Sequence, residues 1–368
     1  MQSVLLGSES PIKRNAVTKL FPSDKYILTC VDCDSLQLPS QPVNCTEQCA
    51  KIRLNYIKQV KFPDSFDYYI TIENGIEVDT EDEDDIPRDV CVVLIEHKGL
   101  LGYSDTDFGF TIPSKYYRLL SQFTHNNKLK VQGYNITIGD LMNQDDPSID
   151  RKNWVKTHHK VCRSVQIETQ INCAKTNLEI SMQTARKILN TYKAYSDFPL
   201  ESTEHKTVDK SQLDEELLLP DLFSIIREYT DIERLLILIA DQYRFDSIDY
   251  IVGPESKGFF GFGLSCILKV GFIPLRKKGK LPGKVTSLTY QTGSTSDIIE
   301  APTDIKSGSR VVIFDDFIAS GSSLRAACDI IRLLNCTIVD CIVLRQMFPL
   351  QAIAKEKMGI PYKVLLQE

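Results

Sequence analysis

Two adjacent carboxylates, Asp315 and Asp316, follow four apolar residues, Val311 to Phe314, and precede a small-residue turn, Ala319-Ser320-Gly321-Ser322-Ser323. Paired acids at a strand end offer acceptors to the hydroxyls of a sugar. A turn of Ala, Ser and Gly lets several backbone N–H groups converge on one phosphate at a helix N-terminus. Together they suit a ribose 5-phosphate. Upstream, a strand runs into Pro254-Glu255-Ser256-Lys257-Gly258, where Gly258 frees the backbone and Lys257 supplies a cation. Arg276, Lys277, Lys278 and Lys280 then place four cations in five positions, closed by Pro282-Gly283. That run is unsuited to a buried strand and reads as an anion clamp beside the sugar pocket.

A second set lies in the N-terminal half. Ser8 and Ser10 form a polar turn after Val4 to Leu6, and Lys13 falls on the first turn of a helix opened by Pro11. Hydroxyls, backbone N–H groups and a lysine suit a triphosphate tail, and a simple capped helix uses the same residues. Glu47 and Arg53 share a predicted helix, and Glu73 ends a strand before Asn74-Gly75. Cys30, Cys33, Cys45 and Cys49 could supply thiolates to zinc, but read better as core packing. The acid run Asp79 to Asp85 lacks the ordered glycine of a metal loop and reads as a solvated hairpin tip. The adjacent His158 and His159 diverge, which favours a surface patch over a ligand pair.

The elements that must carry these residues alternate between strand and helix in both halves. Strands are predicted at Ser3 to Leu6, Lys25 to Val31, Asp67 to Ile72, Val90 to His97 and Ile248 to Gly253. Helices are predicted at Pro11 to Leu20, Cys45 to Val60, Met182 to Tyr195, Leu222 to Tyr243, Phe259 to Val270 and Leu324 to Leu334. The fold class is α/β in two domains, residues 1–173 and 214–368, joined by a polar linker and helix at 174–213. The C-terminal domain should have a parallel sheet flanked by helices. A chain of 368 residues with 42% hydrophobic and 25% charged residues can fill two cores. Net charge −6 argues against nucleic acid or an anionic membrane as the main partner. The absence of any apolar run near ~20 residues and of a signal-like start predicts a cytoplasmic protein. Its 11 scattered cysteines read as reduced thiols.

The stretch from Ile248 to Glu368 resembles the type I phosphoribosyltransferases. Val311 to Ser323 is similar to their phosphoribosyl pyrophosphate (PRPP) signature. Arg276-Lys277-Lys278-Gly279-Lys280-Leu281-Pro282-Gly283 and the ending Val364 to Glu368 resemble the adenine branch. The resemblance implies Glu255, Ser256 and Lys257 facing pyrophosphate, with Arg276, Lys280 and a loop tyrosine, Tyr290, on the departing pyrophosphate. It implies Asp315 and Asp316 on the ribose hydroxyls, Ala319 to Ser323 on the 5-phosphate, and Mg²⁺ carried mainly by PRPP. Thr289 stands where the family has an acid, and Lys257 where it has arginine.

Ser3 to Gln170 resembles the inosine/xanthosine triphosphatases through Ser10-Pro11-x-Lys13, Gln41-Pro42 with Glu47 and Arg53, Ile72 to Ile76, and Cys162-Arg163-Ser164-Val165. That resemblance implies Mg²⁺ on Glu47 and Glu73, phosphates on Ser8, Ser10 and Lys13, and Arg53 and Arg163 on the nucleotide. Asp140 and Lys152 are further candidates, in a segment without the family's glycine. The expectation is a bifunctional purine-nucleotide enzyme, forming a homodimer, that joins a purine base (adenine first) to PRPP and hydrolyses purine triphosphates such as ITP or XTP. Two alternatives stay open: a PRPP-binding regulator disabled by Thr289, and an active transferase with a catalytically silent N-terminal module.

Overall fold

A computed structural model of the protein describes residues 1–60, 65–78, 86–104, 106, 109–125, 131–193, 229–244, 246–254, 259–292, 295–347 and 350–366. It separates into two compact units, Met1–Ser181 and Met182–Glu368. Glu255, Ser256, Lys257, the acid run Asp79 to Asp85 and the segment 194–228 lie outside the described residues.

In the N-terminal unit, β1 (Gln2–Leu6) leads into α1 (Pro11–Leu20), β2 (Tyr26–Cys30), the short β3 (Gln41–Pro42) and α2 (Thr46–Val60). Two long strands follow, β4 (Tyr68–Glu77) and β5 (Arg88–His97), then β6 (Leu100–Tyr103) and β7 (Gly109–Thr111). The main sheet has the order β2-β1-β4-β5-β6, with β7 also on β5. β1 pairs in parallel with β2 and β4, and β5 runs antiparallel to β4. Val4 to Leu6, Ile70, Ile72 and Val92 to Ile95 are fully buried, as expected of strands covered on both faces. Smaller elements complete the unit: α3 (Ser114–Leu120), β8 (Gly133–Tyr134), α4 (Ile138–Asp145) and α5 (Trp154–His159). β4 continues past Ile72 through Asn74-Gly75, because each of these residues finds a ladder partner on β5.

The largest departure from the sequence reading is α6 (Arg163–Lys193), one helix through the region expected to begin a linker at 174. Its polar composition belongs to an exposed side. Ala174, Leu178, Ala185 and Ile188 recur at helical spacing and are buried. The helix lies so close to β6 that a Cβ on Gly102 would fall 2.1 Å from the Ala174 carbonyl oxygen.

In the C-terminal unit, the described residues beyond α6 resume with α7 (Tyr229–Ala240), followed by β9 (Tyr250–Pro254), α8 (Phe259–Leu268) and β10 (Gly271–Lys277). A hairpin, β11 (Val285–Thr292) and β12 (Thr295–Pro302), precedes β13 (Arg310–Ile318), α9 (Ser322–Leu333), β14 (Thr337–Gln346), α10 (Gln351–Met358) and β15 (Lys363–Val364). Its seven-stranded sheet has the order β11-β12-β10-β9-β13-β14-β15. The five strands from β10 to β15 are parallel, and β12 runs antiparallel to both β10 and β11. α9 buries Leu324, Ala327, Cys328 and Ile331 on one side, the i, i+3, i+4, i+7 pattern read from the sequence. Among the described residues no helix is long and apolar enough to cross a membrane.

Asp67 ties the start of β1 to the start of β4. Its Oδ2 accepts from Ser3 N at 2.6 Å and Ser3 Oγ at 2.9 Å, which holds its carboxyl below the usual carboxylate range. The unfolded chain therefore binds this proton first as pH falls. The stabilisation is complete above the unfolded pKa of ~3.9 and disappears as pH drops through the lower folded value. Asp67→Asn should flatten the acid limb of a stability–pH profile below about pH 4. An unchanged acid limb would mean that the Ser3 contacts are not kept in solution.

Candidate functional site

The C-terminal site is assembled at the carboxyl end of β13. Asp315 lies opposite Val343 on β14, and Asp316 is only 2% exposed. Asp316 N donates to Asp315 Oδ1 at 2.9 Å, which fixes the Asp315 carboxylate against the backbone of its neighbour. The chain must then reverse into α9, and Gly321 makes that turn with φ +81°. A Cβ there would be strained and would approach the Ala354 carbonyl oxygen at 3.2 Å. Since the N-cap is glycine, no side chain caps α9, and its first-turn N–H groups face the turn. Ser320 and Ser322 hydroxyls lie 3.2 Å apart beside them. Free first-turn N–H groups and two hydroxyls thus follow two acids in sequence, an arrangement whose chemistry suits an anion.

Tyr290 reaches the same place from the hairpin. It stands on β11 rather than in a loop, because the Val285–Pro302 to Thr292–Thr295 ladder is continuous. Burial pushes its phenol pKa up, Asp297 and Asp315 push in the same direction, and a Ser323 hydrogen bond opposes them. Tyr290 is therefore a neighbour of both Asp315 and Ser323. Strand alternation puts Thr289 on the other face of the hairpin, where it is exposed. Arg276 is the penultimate residue of β10, and its Nη1 donates to the Lys280 carbonyl oxygen at 3.3 Å, so these two cations bracket one tight turn. Lys277 Nζ lies 3.5 Å from Asp297 Oδ2.

The sequence pattern of the phosphoribosyl transferase domain matches residues 223–355, wholly inside this unit. Adenine phosphoribosyltransferase of Eremothecium gossypii is 37% identical over 159 residues, 42% of this chain and 84% of that protein. The chain belongs to the phosphoribosyltransferase family. Its C-terminal unit is also similar to mouse (Mus musculus) adenine phosphoribosyltransferase, 34% identical over 41% of this chain and 86% of that one. A solved adenine phosphoribosyltransferase from Saccharomyces cerevisiae, complexed with an iminoaltritol bisphosphate and adenine, is 30% identical with a TM-score of 0.42. It covers 49% of this chain and 99% of its own. None of these identifies the N-terminal unit; the phosphoribosyltransferase assignment rests on the C-terminal one.

The N-terminal candidates gather around the ends of β1, β4 and β5. Lys13 Nζ donates to the Ile72 carbonyl oxygen at 2.6 Å. Burial of its ammonium pushes its pKa down, and Glu73 partly offsets this. Glu73, 4% exposed, is ion-paired with Arg53. Burial opposes the Arg53 charge, and Glu73 and Cys33 more than compensate. Arg163 opens α6, is ion-paired with Asp89, and donates to Gln166 Oε1 at 2.8 Å. Lys13 feels the charges of Glu73, Arg53 and Arg163, so the three cations and Glu73 share one region. Ser8 Oγ accepts from Ser10 N at 3.2 Å, shaping the turn before Lys13.

Glu47 sits on α2 beside Glu77, whose carboxyl is pushed up first by burial and then by the Glu47 charge. Asp140 takes a different role from that of a ligand, closing a capping box with Thr137 at the start of α4. Among the described residues no group of three or more His, Cys, Asp or Glu side chains is placed to hold a metal, the four N-terminal cysteines included. Mg²⁺ commonly takes one or two carboxylates and completes its shell with phosphate oxygens and water, which suits the carboxylate donors of both units.

Asp89 was not a sequence-level candidate, yet it is 1% exposed and neutralises Arg163 from 74 residues away. Removing one partner of a buried pair leaves an uncompensated charge, at a cost of about 3–5 kcal/mol. Asp89→Asn should lower the unfolding free energy by roughly that amount in urea titrations. A loss below about 1 kcal/mol would mean that Arg163 finds solvent or another acid.

Proposed function

We propose that the C-terminal unit transfers the phosphoribosyl group of PRPP to a purine base, adenine foremost, giving the nucleoside monophosphate and pyrophosphate. The observation that carries this reading is the meeting of Asp315, Asp316, the Gly321–Ser323 helix start and Tyr290 at one strand end, in a unit related to adenine phosphoribosyltransferases. The reaction breaks the bond from ribose C1 to pyrophosphate oxygen and forms one from C1 to a purine nitrogen, which gives up its proton. Positive charge builds on the sugar and negative charge on the leaving group, so catalysis rests on positioning and electrostatics.

Asp315 and Asp316 would hold the ribose hydroxyls, and the turn from Ala319 to Ser323 the 5-phosphate. Arg276 and Lys280 would take up the charge of the departing pyrophosphate, with Tyr290 covering the reacting centre. Glu255, Ser256 and Lys257 are proposed to face pyrophosphate from the preceding strand end. Mg²⁺ entering with PRPP would share the neutralisation of the leaving group. Incubation of the full chain with Mg²⁺, PRPP and each purine base tests the reading. AMP should form with adenine, and Asp315→Asn/Asp316→Asn should lower turnover by at least about 10³-fold. PRPP binding without conversion of any base would replace the enzyme reading with that of a PRPP-binding regulator.

A second activity is favoured by the buried charges of the N-terminal unit. Lys13, Arg53 and Arg163 outnumber Glu73 and Asp89 in a largely buried cluster at strand ends. Such an excess suits a polyanion, here the triphosphate of a non-canonical purine nucleotide, with Ser8 and Ser10 at its turn. Glu47 and Glu73 would hold Mg²⁺, which lowers the charge of the scissile phosphates. ITP or XTP should be hydrolysed to the monophosphate and pyrophosphate. Glu73→Gln and Lys13→Met should each reduce that rate by about 10²-fold or more while adenine transfer continues. Wild-type protein inert towards all purine triphosphates would leave this unit a silent module.

A further inference from the structure

Glu300 is a buried acid of the C-terminal unit. It stands on β12, opposite Arg276 of β10 and opposite Ser287 of β11. Flanked by a strand on each side, it is only 4% exposed. Both its oxygens are used: Oε2 accepts from Gly279 N at 2.8 Å, and Oε1 from Ser287 Oγ at 3.3 Å. Gly279 is the φ +79° residue of the basic turn, between Lys278 and Lys280. One buried carboxylate thus fastens the apex of the cationic turn to the hairpin that carries Tyr290.

We propose that Glu300 is the positioning residue of the pyrophosphate clamp, an inference that rests on the phosphoribosyl-transfer reading. A turn carrying Arg276, Lys277, Lys278 and Lys280 repels itself, and its glycine has the widest backbone freedom in the run. Its backbone is held to β12 at two points: Lys278 N donates to the Ile298 carbonyl oxygen at 3.2 Å, and Gly279 N, at the apex, to the Glu300 side chain. A charged acceptor on that N–H makes a stronger bond than a neutral one. By holding Gly279 against β12, Glu300 keeps Arg276 and Lys280 facing a common anion and ties the clamp to Tyr290 through the β11–β12 ladder. Glu300 contacts the turn rather than the substrate, so it acts through the clamp.

This role separates the two ends of PRPP. Pyrophosphate and PRPP bind through the clamp, whereas AMP needs the acid pair and the 5-phosphate turn, which Glu300 does not touch. Misplacing reacting groups by about 1 Å costs up to about a hundredfold. Glu300→Ala should therefore raise KM for PRPP and the inhibition constant of pyrophosphate by about ten- to a hundredfold, with AMP affinity within about threefold of wild type. Glu300→Gln keeps an acceptor for Gly279 and a partner for Ser287, and should recover most of the pyrophosphate affinity.

The measurements are adenine-transfer kinetics and calorimetric binding of AMP and pyrophosphate to the full chain, with thermal unfolding as a check on folding. Equal losses of AMP and pyrophosphate affinity in Glu300→Ala would overturn the proposal, as would unaltered pyrophosphate affinity. Glu300→Gln as damaging as alanine would overturn the hydrogen-bond mechanism in favour of charge alone. If alanine unfolds the unit, a wild-type-like pyrophosphate constant in Glu300→Gln supports the proposal and a tenfold loss overturns it. Wild-type protein that binds pyrophosphate but forms no AMP would sink the transfer reading and leave the clamp test standing.

Discussion

The C-terminal unit depends on one backbone constraint, the left-handed turn at Gly321 between β13 and α9. A parallel strand buried on both faces ends with its polar groups at one edge of the sheet, and the following helix must start there. Gly321 reverses the chain in so short a distance that α9 begins at Ser322, four residues beyond the last residue of β13. Met347 N, bonded to the Ile318 carbonyl oxygen at 3.0 Å, continues the β14 pairing right up to the turn. The Ala354 and Met358 of α10 then close in on the glycine from behind. Strand pairing and helix packing therefore meet at this turn, and a side chain at 321 would disturb both.

The buried charges of the N-terminal unit follow different physics. Its cations are side chains sunk into a low-dielectric region, where each pays a desolvation cost that only nearby carboxylates offset. Glu73 answers Arg53 and Asp89 answers Arg163, while Lys13 is left to a backbone carbonyl and the field of Glu73. Burying more positive than negative charge costs stability unless an anion completes the set. That imbalance is hard to explain as packing alone, since apolar residues of similar volume would serve a core better.

Local chemistry was legible in the sequence where it stood within one strand and one helix. Val311 to Leu334 reads correctly because the apolar run, the acids, the turn and the amphipathic helix are contiguous. Pro11 to Leu20 reads correctly for the same reason. What composition hid was the boundary of α6, whose buried residues are spaced among many polar ones. Partners set by register were also invisible: Asp89 meets Arg163 across 74 residues, and Glu300 meets Gly279 across 21. No local pattern in Asp89-Val90 or Ile299-Glu300 signals a buried acid. Only the pairing of β5 with β4, and of β12 with β10, decides which side of the sheet each acid faces.

Register also bears on the residue that most invites a binding-only interpretation. The carboxylate that the adenine branch carries before its loop tyrosine is replaced by Thr289, which by alternation points away from the face that Tyr290 turns toward Ser323 and Asp315. Arg276, Lys280, Asp315 and Asp316 stand elsewhere in the unit, untouched by the change at 289. A positioned general base contributes about 10²–10⁴-fold, while electrostatic stabilisation of a charged transition state is usually the largest single contribution. Loss of an acid at 289 therefore lowers a rate without removing its main source. A purine nitrogen is also able to pass its proton to solvent as attack proceeds. On these grounds Thr289 argues for a slower or differently tuned transferase more than for a protein that only binds.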